Sequence, residues 1–125
     1  MRILFIFFVL FNTAFGISQE AVFSISEPVF KFPKTNEGVV LEHTFVYTNK
    51  GNVPLIINDF SVACTCTKVI YSKDPVLPGK TGTVKIIFDT EDKYDYQDRE
   101  ILLSVNTKKK IVKLRFKVFV ISKSE

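Results

Sequence analysis

From about residue 20 onward the chain alternates apolar and polar side chains with a period of two, and no stretch longer than a few residues repeats with the period of a helix. The clearest case is Val112-Lys113-Leu114-Arg115-Phe116-Lys117-Val118, whose apolar residues share one face and whose basic residues share the other. Successive side chains of a strand point to opposite sides, so this segment predicts a strand with one face in a core and one in water. By the same reading Val39, Leu41, Phe45 and Tyr47 form the inward set of another strand, interrupted by His43, with Glu42, Thr44 and Thr48 outward. Val84, Ile86 and Phe88 form a further set, and Ile101, Leu103 and Val105 another. Pro54-Leu55-Ile56-Ile57 is apolar on both faces, which suits a central strand and leaves its register open.

Turn signals separate these segments. Asn49-Lys50-Gly51-Asn52 offers residues that accept positive φ and predicts a tight hairpin. Asp74-Pro75 and Pro78-Gly79 bracket a longer connection, because proline cannot donate to a ladder. Asn106 to Lys110 makes the final turn. The predicted strands lie near 22–26, 29–32, 39–48, 53–60, 67–72, 82–89, 99–106 and 111–121. Their one-sided faces must be stacked to be buried, so the expected fold is all-β, an immunoglobulin-like β-sandwich of seven or eight strands. More than a dozen large apolar side chains point inward, each worth about 1.5–3 kcal/mol when fully buried, so the core does not require disulfide staples.

The first residues form a separate object. Met1-Arg2 is a positive start, Ile3 to Phe15 is apolar except for Asn12 and Thr13, and Ala14-Phe15-Gly16 is a small-x-small triplet. This is the three-part pattern of a secretory signal peptide. As a helix the apolar run would span only ~20 Å against a hydrocarbon core of ~30 Å, which argues for cleavage over anchoring. We expect a signal peptide at 1–16 and a sandwich domain at 17–125, exported to the periplasm or beyond, with no integral membrane span after cleavage. No cysteine lies near the cut to take a lipid.

At 125 residues the chain holds one domain, and its hydrophobic share of 46% sets it apart from disordered chains. Cleavage removes Arg2 and no acid, leaving sixteen basic side chains against thirteen acidic ones, a charge of +3. No nucleic-acid recognition motif accompanies this mild excess, and an exported protein rarely meets nucleic acid, so none is expected as partner.

Few residues carry candidate chemistry. Cys64 and Cys66 flank a single residue, and in an extended chain their Cα atoms would sit near the upper limit of disulfide range, ~6.8 Å. Three readings stand: a labile disulfide between them, a two-thiolate site for a soft metal such as Cu(I), or two packed residues without chemistry. Zinc would need further ligands. His43, the sole histidine, reads first as a buried core residue and second as a third metal ligand or proton-transfer group. No nucleophile, base and orienting group can be assembled around it, so no catalytic residue is assigned and the protein is expected not to be an enzyme. Asp89, Glu91, Asp92, Asp95, Asp98 and Glu100 read as a solvated acidic loop with Tyr94 and Tyr96 as contact residues; a calcium loop's spacing and glycine are missing. Lys108 to Lys110 with Lys113, Arg115 and Lys117 read as a soluble face guarding a sheet edge.

The ordered run Phe32, Gly38, His43-Thr44-Phe45, Thr48-Asn49-Lys50-Gly51, Pro54-Leu55-Ile56-Ile57, Ala63-Cys64-Thr65-Cys66-Thr67, Pro78-Gly79 and Asn106 resembles the bacterial domain of unknown function 1573. The resemblance covers about residues 22–121. It implies an immunoglobulin-like sandwich of the PapD-like kind in an exported protein with no known enzymatic activity and no defined ligand. The family's glycine between the cysteines is Thr65 here, so a turn that only glycine could make is not expected at that point. The resulting expectation is an exported, non-catalytic module that contacts an unknown protein or envelope component. The alternative is a thiol-redox or copper-binding protein acting through Cys64 and Cys66.

Overall fold

The computed structural model describes residues 16–124, so the expected signal peptide lies outside the described residues apart from Gly16. Nine strands are described and no helix: β1 (Phe23–Ser24), β2 (Val29–Lys31), β3 (Thr35–Asn36), β4 (Val40–Asn49), β5 (Ile57–Val62), β6 (Thr67–Tyr71), β7 (Thr81–Asp89), β8 (Asp95–Val105) and β9 (Ile111–Ile121). They form two sheets, one ordered β1-β4-β7-β6 and the other β2-β9-β8-β5, with β3 also paired to β9. β2 and β3 run parallel to β9, and the remaining pairs are antiparallel. The ninth strand is β3, a two-residue piece beyond Pro33 that is too short to show periodicity.

The inward faces meet as the alternation requires. Val84, Ile86 and Phe88 on β7 face Ile101, Leu103, Leu114 and Phe116 on β8 and β9, and all seven are fully buried. Phe45 and Tyr47 complete β4's share, whereas Val39, expected inward, stands exposed just ahead of the strand. Leu55 and Ile57 are both buried with Ile56 half-exposed between them, which fixes the register that the doubly apolar segment left open. The strand itself starts only at Ile57, because Leu55 forms an isolated bridge to Val76 instead of entering the sheet.

Two further expectations are corrected. Residues 49–52 do not close a hairpin: β4 lies in one sheet and β5 in the other, so this turn carries the chain across the sandwich. Gly51 does not have a positive φ. Its hydrogen is needed for a different reason, since a Cβ there would sit 2.1 Å from the Glu20 carbonyl oxygen. The acidic segment is not a loop from 89 to 100, because β8 begins at Asp95 and runs beside β9. Asp98 lies opposite Lys117 and Glu100 opposite Arg115, so acids and bases form a cross-strand ladder on the outer face.

Candidate functional site

At one pole of the sandwich the chain's most distinctive polar residues are consumed by the scaffold. Asn49, at the end of β4, is fully buried, and its Oδ1 accepts from the Val22 and Gly51 amides at 3.2 and 2.9 Å. Its Nδ2 donates to the carbonyls of Val53 and Val76 at 2.7 and 2.9 Å. Asn106 plays the same part after β8, accepting from Ile56 N–H at 2.8 Å and donating to the Pro54 carbonyl at 2.9 Å. Leu77-Pro78-Gly79-Lys80 closes a turn with Gly79 at φ 78 and a Lys80 N–H to Leu77 carbonyl bond of 3.0 Å, the type II geometry that proline followed by glycine favours. The Gly79 amide then donates to the Asn49 carbonyl at 2.8 Å. Buried polar groups left unpaired are costly, so these residues are explained by loop tying and need no ligand.

His43 sits half-buried on β4 in an aromatic cage. Its ring stacks on Phe30 at 3.6 Å between centroids and meets Phe45 and Phe32 edge-on at 4.7 and 6.3 Å. Burial lowers its pKa, with Glu27 opposing the shift. The residue expected as a buried, hydrogen-bonded part of the core is half-buried and held by ring packing.

At the opposite pole, β5 leads into the turn that carries Cys64 and Cys66 before β6 begins. The segment is not extended: the Cα atoms are 5.2 Å apart and a disulfide joins the pair. Thr65 makes this turn without a positive φ, so the missing glycine does not block it. Cys66 N–H points at the Cys64 sulfur at 3.2 Å. The set of Cys64, Cys66 and His43 does not converge as a metal site. His43 lies opposite Ile86 on β7, and Ile86 lies opposite Val69 on β6, so the histidine and the cysteine-bearing connection flank β7 two strand spacings apart, roughly 10 Å. A copper site needing all three ligands is therefore corrected.

Near the same pole Glu37, Glu91 and Asp92 approach one another. Lys123 fills the space they face, with its Nζ 3.1 and 3.0 Å from the two Glu91 carboxylate oxygens, and this hydrogen bond raises the lysine's pKa. On the outer face, Lys113 meets Glu100 at 3.0 Å and Arg115 meets Asp98 at 3.3 Å, so β8 neutralises the part of the basic strip that lies opposite it. The hydrogen bond from Lys113 holds the Glu100 carboxyl below its ordinary pKa.

Two features escaped the sequence reading. Arg99 points toward the core two residues before Ile101, with its guanidinium 5.8 Å from the Phe88 ring centroid and its buried Nε unpartnered among the described residues. The predicted strand 99–106 already gives Arg99 the parity of Ile101, but its charge kept it out of the inward apolar set. The second is an edge: β5 and β6 are the terminal strands of their two sheets on one flank, where Phe60 and Tyr71 meet edge-on at 6.0 Å. Sequence periodicity is blind to strand order.

A family described as protein of unknown function (DUF1573) matches residues 23–120. Among solved structures, a protein of unknown function from Porphyromonas gingivalis W83 superposes with a TM-score of 0.71 at 14% identity, over 85% of this chain and 50% of that one. The ASH / PapD-like domain 7 of human CEP192 gives 0.67 at 11% identity, over 87% of this chain and 92% of that domain. The VesB protease of Vibrio cholerae gives 0.60 at 13% identity, over 82% of this chain and 32% of the protease. This chain thus spans about half the length of the P. gingivalis protein. No curated protein matches it. At these identities the likeness is one of fold, an immunoglobulin-like, PapD-like sandwich.

Proposed function

This chain belongs to the DUF1573 family, and from that premise we propose that it is an exported, non-catalytic module of the cell envelope that binds a protein partner along the flank formed by β5 and β6. The carrying observation is that both sheets end on this flank while Phe60 and Ile70 stand exposed there, Ile70 at 55%. A terminal strand presents unpaired backbone groups, and an extended segment that adds to it gains main-chain hydrogen bonds plus pockets for alternate side chains. The signature residues offer no rival, since Asn49, Gly51, Gly79 and Asn106 serve the scaffold.

Affinity capture from the envelope fraction tests this, with the wild-type protein beside Ile70→Lys. The substitution puts a charge on an exposed edge position and should leave stability within about 0.5 kcal/mol. Recovery of a defined partner by the wild type and its loss with Ile70→Lys is the expected result. Equal recovery by both proteins, or no partner with either, would overturn the assignment.

A further inference from the structure

We propose that Cys64 and Cys66 form a thiol–disulfide exchange site in which Cys66 takes the mixed disulfide with an extended, cysteine-bearing segment of another protein and Cys64 is the leaving sulfur. The pair lies at the pole away from the asparagine-tied loops, and neither cysteine belongs to the buried core, although Cys66 packs against its margin. A bridge stabilises a fold chiefly through the loop it closes, and this one encloses a single residue, Thr65. Its value as a staple is therefore small.

The two sulfurs are not equivalent. The Cys66 amide hydrogen points at the Cys64 sulfur at 3.2 Å, so negative charge arriving on Cys64 is met at once by a donor. A thiolate stabilised in this way has a lowered proton affinity and leaves faster in exchange. Cys66, in contrast, lines a surface depression together with Val40, Thr65, Lys68, Ile87 and Asp89. Val40 and Ile87 make the apolar part of that lining, and Lys68 and Asp89 its charged part. β6 begins at the very next residue and is the terminal strand of its sheet. The Asp89 N–H to Cys66 carbonyl bond of 3.0 Å sets the ladder's alternation, which turns the amide groups of Val69 and Tyr71 away from β7. A segment pairing with that edge runs past Cys66, which is why the partner is an extended polypeptide.

In the forward step a partner thiolate attacks Cys66 Sγ. The Sγ–Sγ bond breaks and its electron pair leaves on Cys64, which is then protonated by solvent. A second thiolate of the same partner attacks the partner's own sulfur in the mixed disulfide and releases Cys66 as thiolate. The partner's dithiol is oxidised by two electrons and the Cys64–Cys66 disulfide is reduced to a dithiol. A protein disulfide reverses the sequence, with Cys64 thiolate as the resolving nucleophile.

The choice of an extended partner rests on the edge reading above, whereas the reactivity of the cysteine pair is tested separately from it, without the native partner. The oxidised full-length protein is mixed with a short synthetic peptide carrying one cysteine, in the presence of iodoacetamide, and the products are mapped by mass spectrometry. Peptide on Cys66 with the alkyl label on Cys64, in about tenfold excess over the reverse, is expected from the leaving-group difference. An even split or the reverse would overturn the assignment of roles. Two cysteines that alkylate freely before any reductant is added would overturn the site. Cys64→Ser should still accept the peptide from its symmetric disulfide at Cys66, and the circular dichroism spectrum of Cys64→Ala/Cys66→Ala should match the wild type. A spectrum that loses its β-sheet signature would instead make the pair a structural staple and overturn the proposal.

Discussion

Asn49 concentrates at one side chain what three connecting segments need. Two amides donate to it and two carbonyls accept from it, and Asn49 itself is fully buried. Asn49→Ala leaves those groups unpaired, and at about 1–3 kcal/mol for each group that water cannot reach it should lower unfolding free energy by at least about 2 kcal/mol in urea titrations. The exposed Asn52 should cost much less when replaced. His43 makes a separate prediction. Burial lowers its pKa, so between the folded value and the ordinary 6.5 the unfolded chain binds more protons than the native one. Stability then rises with pH through that window and falls on acidification below about 6.5. Melting temperatures from pH 7.5 to 5.5 should show a drop that His43→Gln makes shallower, and equal slopes would contradict it. In the sequence, Asn49 is a turn residue within the family resemblance and His43 a break in an apolar face with a core or metal-ligand reading, and neither reading names a contact. What each side chain touches is set by segments far away along the chain, such as Val76 for Asn49 and Phe30 for His43.

At the scale of the element, β9 was the most legible piece, because the strict alternation from Val112 to Val118 leaves one solution for which side is core. Phe116 is fully buried against Phe88 and Phe32, and Phe116→Ala should cost about 3–5 kcal/mol. Arg115, on the other face, pairs with Asp98 and Glu100 but is partly exposed, so Arg115→Ala should change stability by less than about 1 kcal/mol. Denaturant unfolding of the two variants side by side checks both values. β8 was half legible. Its apolar end declared itself, but Asp95 to Glu100 carries charge that reads as loop until β9 supplies the lysines and arginine opposite. The connection after β4 misled for a related reason: Asn and Gly mark a tight reversal equally well whether the next strand joins the same sheet or the facing one.

For the whole molecule, the proposed export predicts that N-terminal sequencing of protein recovered outside the cytoplasm begins at Ile17. A sequence that begins at Met1 or within the apolar run would overturn the cleavage site. Alternation of side chains along single strands is a local property, and by itself it determined the all-β class, the burial of Val84, Ile86, Phe88, Ile101, Leu103 and Leu114, and the need for two facing layers. Strand order, the separation of His43 from the cysteines, the pairing of Arg115 with Asp98 and the shared flank of β5 and β6 were decided only by the tertiary structure. The physical reason is that a period of two says which face of a strand is buried and nothing about which strand lies beside it. Neighbours are chosen by shape and hydrogen bonding between residues distant in the chain.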